Sequence, residues 1–189
     1  MPSQSWNLAM TLTELQIRRA LPEDRLPLFR MLELYQHDLS DIWDQDLDSH
    51  GEYGYELDQY WRDRSHHAFV TLVNGRYAGF ALVNPALKVG EPGASAHWMA
   101  QFFVLKKYRR TGLGAELARA VFSALPGQWE VGQMRDNLAA QAFWRRVIAG
   151  YTGGAFTEHV LSEGWWQGLV QCFVSAPALV AASPTDQIR

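Results

Sequence analysis

Gln101-Phe-Phe-Val-Leu-Lys-Lys-Tyr-Arg-Arg-Thr-Gly-Leu-Gly-Ala-Glu-Leu-Ala-Arg-Ala-Val-Phe122 decides the fold. An apolar strand runs into a basic turn, and the turn opens directly into a helix. Leu113, Leu117, Val121 and Phe122 put one apolar stripe on that helix. This order builds an anion site. The first N–H groups of a helix have no intrahelical partner, and the helix dipole adds partial positive charge at the same end. Gly112 and Gly114 lack a Cβ, so a ligand can come close to the backbone. Lys106, Lys107, Arg109 and Arg110 surround the turn with full charges. The natural guest is a phosphate or pyrophosphate.

Spacing discriminates between phosphate loops. A P-loop places Lys and then Ser or Thr directly after its second glycine. Here Gly114 is followed by Ala115 and Glu116. A dinucleotide fingerprint needs a third glycine where this chain has Leu117. What remains is Arg109-x-x-Gly112-x-Gly114. This R-x-x-G-x-G pattern resembles the acetyl-CoA pyrophosphate loop of the GNAT superfamily of N-acetyltransferases. The resemblance implies a cofactor-binding turn made by Arg109, Arg110, Thr111, Gly112, Leu113, Gly114 and Ala115.

The downstream sequence extends the likeness. Trp129-Glu-Val131 reads as a short strand, and Asn137-Leu-Ala-Ala-Gln-Ala-Phe-Trp-Arg-Arg146 resembles the second GNAT motif. In that family the strands flanking the pyrophosphate loop and its helix splay apart, and the pantetheine arm of CoA lies in the gap. The resemblance implies that Asn137, Phe143 and Trp144 line it, together with Phe102, Phe103 and Val104. The chain also resembles one group of predicted bacterial GNAT acetyltransferases. The matching segments are Leu34-Tyr35, His37-Asp38-Leu39-Ser40, Gly79-Phe80, Phe102-Phe103-Val104, Trp129-Glu130-Val131 and Phe143-Trp144-Arg145, within roughly residues 14 to 176.

Composition fits this class. A chain of 189 residues suits one domain with a proper core. Hydrophobic content is 48% and charged content 20%, ordinary for a globular protein. A net charge of −3 disfavours a general nucleic-acid or membrane role. The basic run at Lys106–Arg110 could serve nucleic acid, but it is joined to the glycine turn and no second run follows. The single cysteine, Cys172, forms no intrachain disulfide and fits a reducing compartment. No signal peptide is legible, so a cytoplasmic location is expected. The expected partners are acetyl-CoA and an amine, and a homodimer is left open.

Periodicity gives the organisation. Residues 1–13 read as a loose leader, 14–176 as the domain and 177–189 as a tail. A strand is expected over Leu15–Ala20 and a helix from Pro22 through Leu26, Phe29, Leu32 and Tyr35. Residues 38–52 read as an acidic loop and Tyr55–Arg64 as a short helix. Asn74-Gly75 joins strands 68–73 and 77–83 as a hairpin. Residues 84–96 read as a loop and His97–Leu105 as a buried strand. Two final strands close the chain, the last around Leu169–Val174. The pattern implies an α/β (α+β) fold. With the resemblance, that is a mixed, mostly antiparallel sheet of about seven strands splayed at its centre, with helices on both faces.

Acetyl transfer needs a deprotonated amine, a polarised thioester carbonyl and a protonated leaving thiolate. By the resemblance, backbone N–H groups at Phe103 and Val104 meet the carbonyl and pantetheine. The family's usual acid is a tyrosine where this chain has Trp144, and an indole N–H only donates hydrogen bonds. The acid role then moves to Tyr151 or is not needed. Trp144 reads equally as a core aromatic. His97 is the first candidate base, because its ordinary pKa is near neutral, and Glu130 is a second.

From Met31 to Trp61 there are nine acids and no Lys or Arg. Asp46-x-Asp48-x-His50-Gly51 starts like a calcium loop, but its twelfth position is Leu57, so no metal is expected. The stretch reads either as a solvated loop or as a surface that steers a cationic amine, with Tyr53, Tyr55, Tyr60 and Trp61 as an aromatic wall. An enzyme of this kind has a rival in a non-catalytic acyl-CoA-binding sensor or scaffold.

Overall fold

Asn74 and Gly75 both adopt left-handed backbone, with φ of 51° and 70°. A two-residue type I′ hairpin requires this, and it sets the register of the strands on either side. The computed structural model describes residues 14–90, 96–164 and 166–176. The expected leader, the tail and part of the 84–96 loop lie outside the described residues. Seven strands form one mixed sheet: β1 (Leu15–Arg19), β2 (His67–Val73), β3 (Arg76–Asn84), β4 (Ala96–Val104), β5 (Gly127–Met134), β6 (Thr157–Leu161) and β7 (Gly168–Ser175). Their order is β1-β2-β3-β4-β5-β7-β6. The helices are α1 (Arg25–Trp43), α2 (Gln59–Arg62), α3 (Leu113–Ala124) and α4 (Leu138–Thr152).

The described residues divide into two compact units, one of residues 14–82 and 101–117, the other of 83–90, 96–100, 118–164 and 166–176. In the first unit, Leu28, Met31 and Leu32 of α1 and Tyr60 of α2 join Val70, Leu72, Phe80, Leu82 and Phe103 in one apolar core. Burial of these side chains supplies the main stabilisation, about 1.5–3 kcal/mol for each large one. Tyr35 closes the core, with its ring 6.1 Å from Phe80 and 5.7 Å from Phe103. A second cluster sets Tyr108 and Leu113 against Val73 and Ala78, which seats the start of α3.

Helix α1 runs six residues into the expected 38–52 loop, to Trp43, and Asp44 caps it with a φ of 50°. Polar residues such as Asp38 and Asp41 sit in its last turns, where composition alone suggests a loop. The second helix is shorter than Tyr55–Arg64, at Gln59–Arg62.

Gly79 is needed for strand approach. A Cβ there would lie 2.5 Å from the Phe103 carbonyl oxygen and 3.3 Å from the Val104 Cα. Gly79→Ala is therefore expected to cost about 2 kcal/mol, as for overpacking a well-packed core, measured by denaturant unfolding. An unchanged midpoint would mean that the strands part easily there.

In the second unit, β5 and β7 pair antiparallel from Gly127↔Ser175 to Met134↔Gly168, and β6 pairs with β7. Parallel pairing of β4 with β5 is short, from Ala96↔Gln128 to Trp98↔Glu130. Beyond it Gly132 leaves room for indoles: a Cβ there would lie 2.3 Å from Trp98 and 2.8 Å from Trp166. Phe122 sits at the centre of an aromatic core, 4.8 Å from Trp129, 4.9 Å from Phe173 and 5.3 Å from Tyr151.

Candidate functional site

The basic turn has the backbone that an anion site requires. Arg110 and Gly112 both take positive φ, 64° and 91°, between the end of β4 and the start of α3. Such reversals aim successive N–H groups at one point. The Gly112 carbonyl accepts from Ala115 N at 3.0 Å and Glu116 N at 3.2 Å, so it opens the helix. The N–H groups of Leu113 and Gly114 fall in the first turn of α3, where no intrahelical acceptor exists. A Cβ at Gly112 would meet nothing within 4 Å, so the space over the backbone is open. Leu113 is buried and fixes the turn to the core, while the Thr111 hydroxyl donates to the Tyr108 carbonyl at 2.8 Å. These features fit a pyrophosphate. Arg110, a non-glycine residue at positive φ, carries strain of about 1 kcal/mol or more.

Arg109 is engaged within its own unit. Its Nε donates to the Val104 carbonyl at 2.7 Å, and Nη2 donates to Asp38 at 2.5 Å. The guanidinium lies 5.3 Å from the Phe103 ring centroid. Lys106 Nζ is 3.3 Å from the same Asp38 carboxylate. Burial pushes the Asp38 carboxyl up, but hydrogen bonds from Arg109 and Lys106 outweigh it and hold the group below its ordinary range. Phe103 is buried and Phe102 half-buried on β4.

The remaining candidates belong to the second unit. Asn137 caps α4, its side-chain oxygen accepting from Ala140 N at 3.1 Å. Trp144 is 5% exposed, with its ring 6.2 Å from Phe122 and 5.1 Å from the half-buried Phe143. Of its two roles, this position supports the core aromatic. The Tyr151 hydroxyl lies 2.7 Å from Ser175 Oγ and 3.3 Å from Ser123 Oγ, and Ser175 in turn donates to the Phe122 carbonyl. His97 is buried beside Trp129, with Nε2 3.3 Å from the Pro126 carbonyl oxygen. Facing a carbonyl, Nε2 carries the proton. Burial pushes the His97 pKa down, partly opposed by that hydrogen bond. Glu130 is also buried. Its carboxylate accepts from the backbone N–H groups of Lys88 (2.5 Å), Val89 (3.0 Å) and Gly90 (2.6 Å). It anchors the segment after β3, a role the sequence does not show.

The acidic stretch is less unopposed than its sequence suggests. Asp38 is met by Arg109 and Lys106, and Asp58 by Arg25 and Arg62. Asp48 caps a turn through His50 N and Glu52 N. Asp41, Asp44, Asp46, Glu52 and Glu56 stay exposed. The Tyr53 hydroxyl lies 3.2 Å from His37, and the Tyr53 N–H donates to Glu33 at 3.0 Å. Among the described residues, no group of three or more His, Cys, Asp or Glu is arranged to hold a metal. No helix among them is long and apolar enough to cross a membrane.

Residues 28–151 match the family described as Acetyltransferase (GNAT) family, and the chain belongs to it. It is an acyl-CoA-dependent N-acetyltransferase by class. Solved structures share the fold. An acetyltransferase from Thermus thermophilus has TM-score 0.60 at 16% identity, covering 86% of this chain and 98% of that one. The ribosomal-protein-S18-alanine N-acetyltransferase from Escherichia coli has TM-score 0.58 at 16% identity, covering 87% and 96%. The spermidine N-acetyltransferase from Vibrio cholerae, in complex with CoA and spermine, has TM-score 0.55 at 11% identity, covering 85% and 95%. No curated protein matches the chain.

Proposed function

We propose that this protein transfers an acetyl group from acetyl-CoA to a primary amine, with a small cationic amine as acceptor. The pyrophosphate of CoA rests on the turn from Arg109 to Ala115. The observation that carries this is the pair of backbone reversals at Arg110 and Gly112, which leaves helix-start N–H groups facing open space. Arg110 and Lys107 supply counter-charge at the turn. Exposed acids at Asp41, Asp44, Asp46, Glu52 and Glu56, with Tyr53 and Tyr55 nearby in sequence, support the cationic acceptor. The Vibrio spermidine N-acetyltransferase of the same fold acts on such an amine, which agrees with this choice.

A panel of acceptors scored by release of free CoA thiol tests the proposal. Polyamines and other small cationic amines are expected to turn over fastest, and their Michaelis constants to rise with salt, because the Debye length falls to about 3 Å at 1 M. A neutral or anionic acceptor that outperforms every amine would remove the steering component. CoA binding without turnover of any acceptor would favour the non-catalytic sensor or scaffold.

The surroundings of His97 and Tyr151 support structural roles for both. His97→Gln is expected to leave the shape of the pH–rate profile unchanged. Loss of its acidic limb would make His97 the base.

A further inference from the structure

We propose that Asp38 is a positioning residue for the phosphate-binding turn, acting through Arg109, and that Arg109 braces the turn instead of neutralising the phosphate. This rests on the assignment of that turn to CoA. The two residues are 71 positions apart in sequence, yet the carboxylate of α1 and the guanidinium meet at 2.5 Å. Arg109 spends its Nε on the Val104 carbonyl at the end of β4 and lays its plane 5.3 Å from the Phe103 ring centroid. Its remaining N–H groups start from a side chain already fixed on three sides. A guanidinium that sends one N–H to the Val104 carbonyl and another to Asp38 holds a strand end, a helix and a turn in one geometry, which a lysine cannot do. Asp38 is 19% exposed and Arg109 41% exposed at the side chain, so the pair is partly shielded from salt. Lys106 reaches the same carboxylate, so two of the turn's four cations are committed to α1. That leaves backbone N–H groups, Lys107 and Arg110 to meet the phosphates.

Charge alone and positioning predict opposite signs for one substitution. Asp38→Asn removes a negative charge beside an anion site, so simple Coulomb attraction would tighten CoA binding. If Asp38 sets the geometry of Arg109, binding weakens instead. Calorimetry with CoA is expected to show a dissociation constant raised about tenfold in Asp38→Asn, within the range of coupling in one ion-pair network. The KM for acetyl-CoA should rise while the KM for the acceptor stays within about twofold, a split that general loss of folded protein would not give. Arg109→Lys keeps the charge and loses the fork, and should weaken binding to the same degree. The double variant should be no weaker than either single one. Unchanged or tighter binding in Asp38→Asn, full affinity in Arg109→Lys, or additive losses would each overturn the proposal. If Asp38→Asn does not fold, the Arg109→Lys result decides alone. A wild-type protein that does not bind CoA would instead overturn the assignment of the turn itself.

Discussion

Gly112→Asp is expected to lose CoA affinity by at least thirtyfold, corresponding to about 2 kcal/mol. Two terms act together. The carboxylate would project from the turn into the open space proposed for the phosphates, since a Cβ there meets nothing within 4 Å. Repulsion between unit charges about 6 Å apart is worth roughly 2–3 kcal/mol at an effective dielectric of 20. The backbone term is smaller. Gly112 has φ of 91°, and a side chain there adds strain of about 1–3 kcal/mol. Gly112→Ala separates the two, because it imposes the same backbone strain with no charge and no clash. Calorimetry should find Gly112→Ala only modestly weaker than wild type and Gly112→Asp much weaker, with the gap narrowing in high salt. Equal affinities in the two variants would show that charge at this position is not sensed, and CoA would have to bind elsewhere.

Local signals in the sequence found most of the fold, and long-range pairing escaped them. Asn74-Gly75 specifies its own turn, and the two positive φ values follow from residue types that tolerate them. Asn137, expected beside pantetheine, caps α4 in the structure by accepting from Ala140 N. The Gly112 turn is legible for the same reason: its chemistry is written within six residues. Arg109 shows where this stops. Its charge suggests a phosphate ligand, and nothing within the motif points to the carboxylate it meets on α1, Asp38. Likewise, an acidic run with no local Lys or Arg implied unpaired charge, while Arg25 and Lys106 reach it from outside the window. His97 and Glu130 are candidate bases by residue type. In the structure His97 is buried with Nε2 3.3 Å from the Pro126 carbonyl oxygen, and the Glu130 carboxylate accepts from three backbone N–H groups. Residue type alone does not reveal whether a titratable group is already engaged.

Asp24→Asn is expected to cost about 2–3 kcal/mol of stability, among the largest losses available outside the hydrophobic core. Asp24 is fully buried. Arg18 grips it through two bonds of 2.5 and 2.9 Å, Tyr77 donates its hydroxyl at 2.6 Å, and Leu21 N–H donates at 2.6 Å. One carboxylate thus ties β1, the turn before α1 and β3 together. An amide keeps one acceptor and presents an N–H₂ group to donors, so at least one of them loses its partner. Arg18 remains 27% exposed and can recover some hydration, which keeps the loss below that of a fully buried pair. Acid provides the second readout. Hydrogen bonds from Arg18, partly opposed by burial and reinforced by Tyr77 and Leu21, hold the Asp24 pKa at about 2, below its ordinary 3.8. A depressed carboxyl pKa adds stability that is full above the unfolded value and disappears as pH falls from about 4 to about 2, here about 2 kcal/mol. Wild type should therefore lose melting temperature across that window more steeply than Asp24→Asn, and the two curves should converge near pH 2. At neutral pH the variant should melt about 4–12 °C lower, given about 2–4 °C per kcal/mol for a chain of this size. Tyr77→Phe, which removes one of the four donors and no charge, should cost about 1 kcal/mol. Parallel acid curves for wild type and Asp24→Asn would mean that the buried carboxylate is not the group whose protonation loosens this end of the sheet.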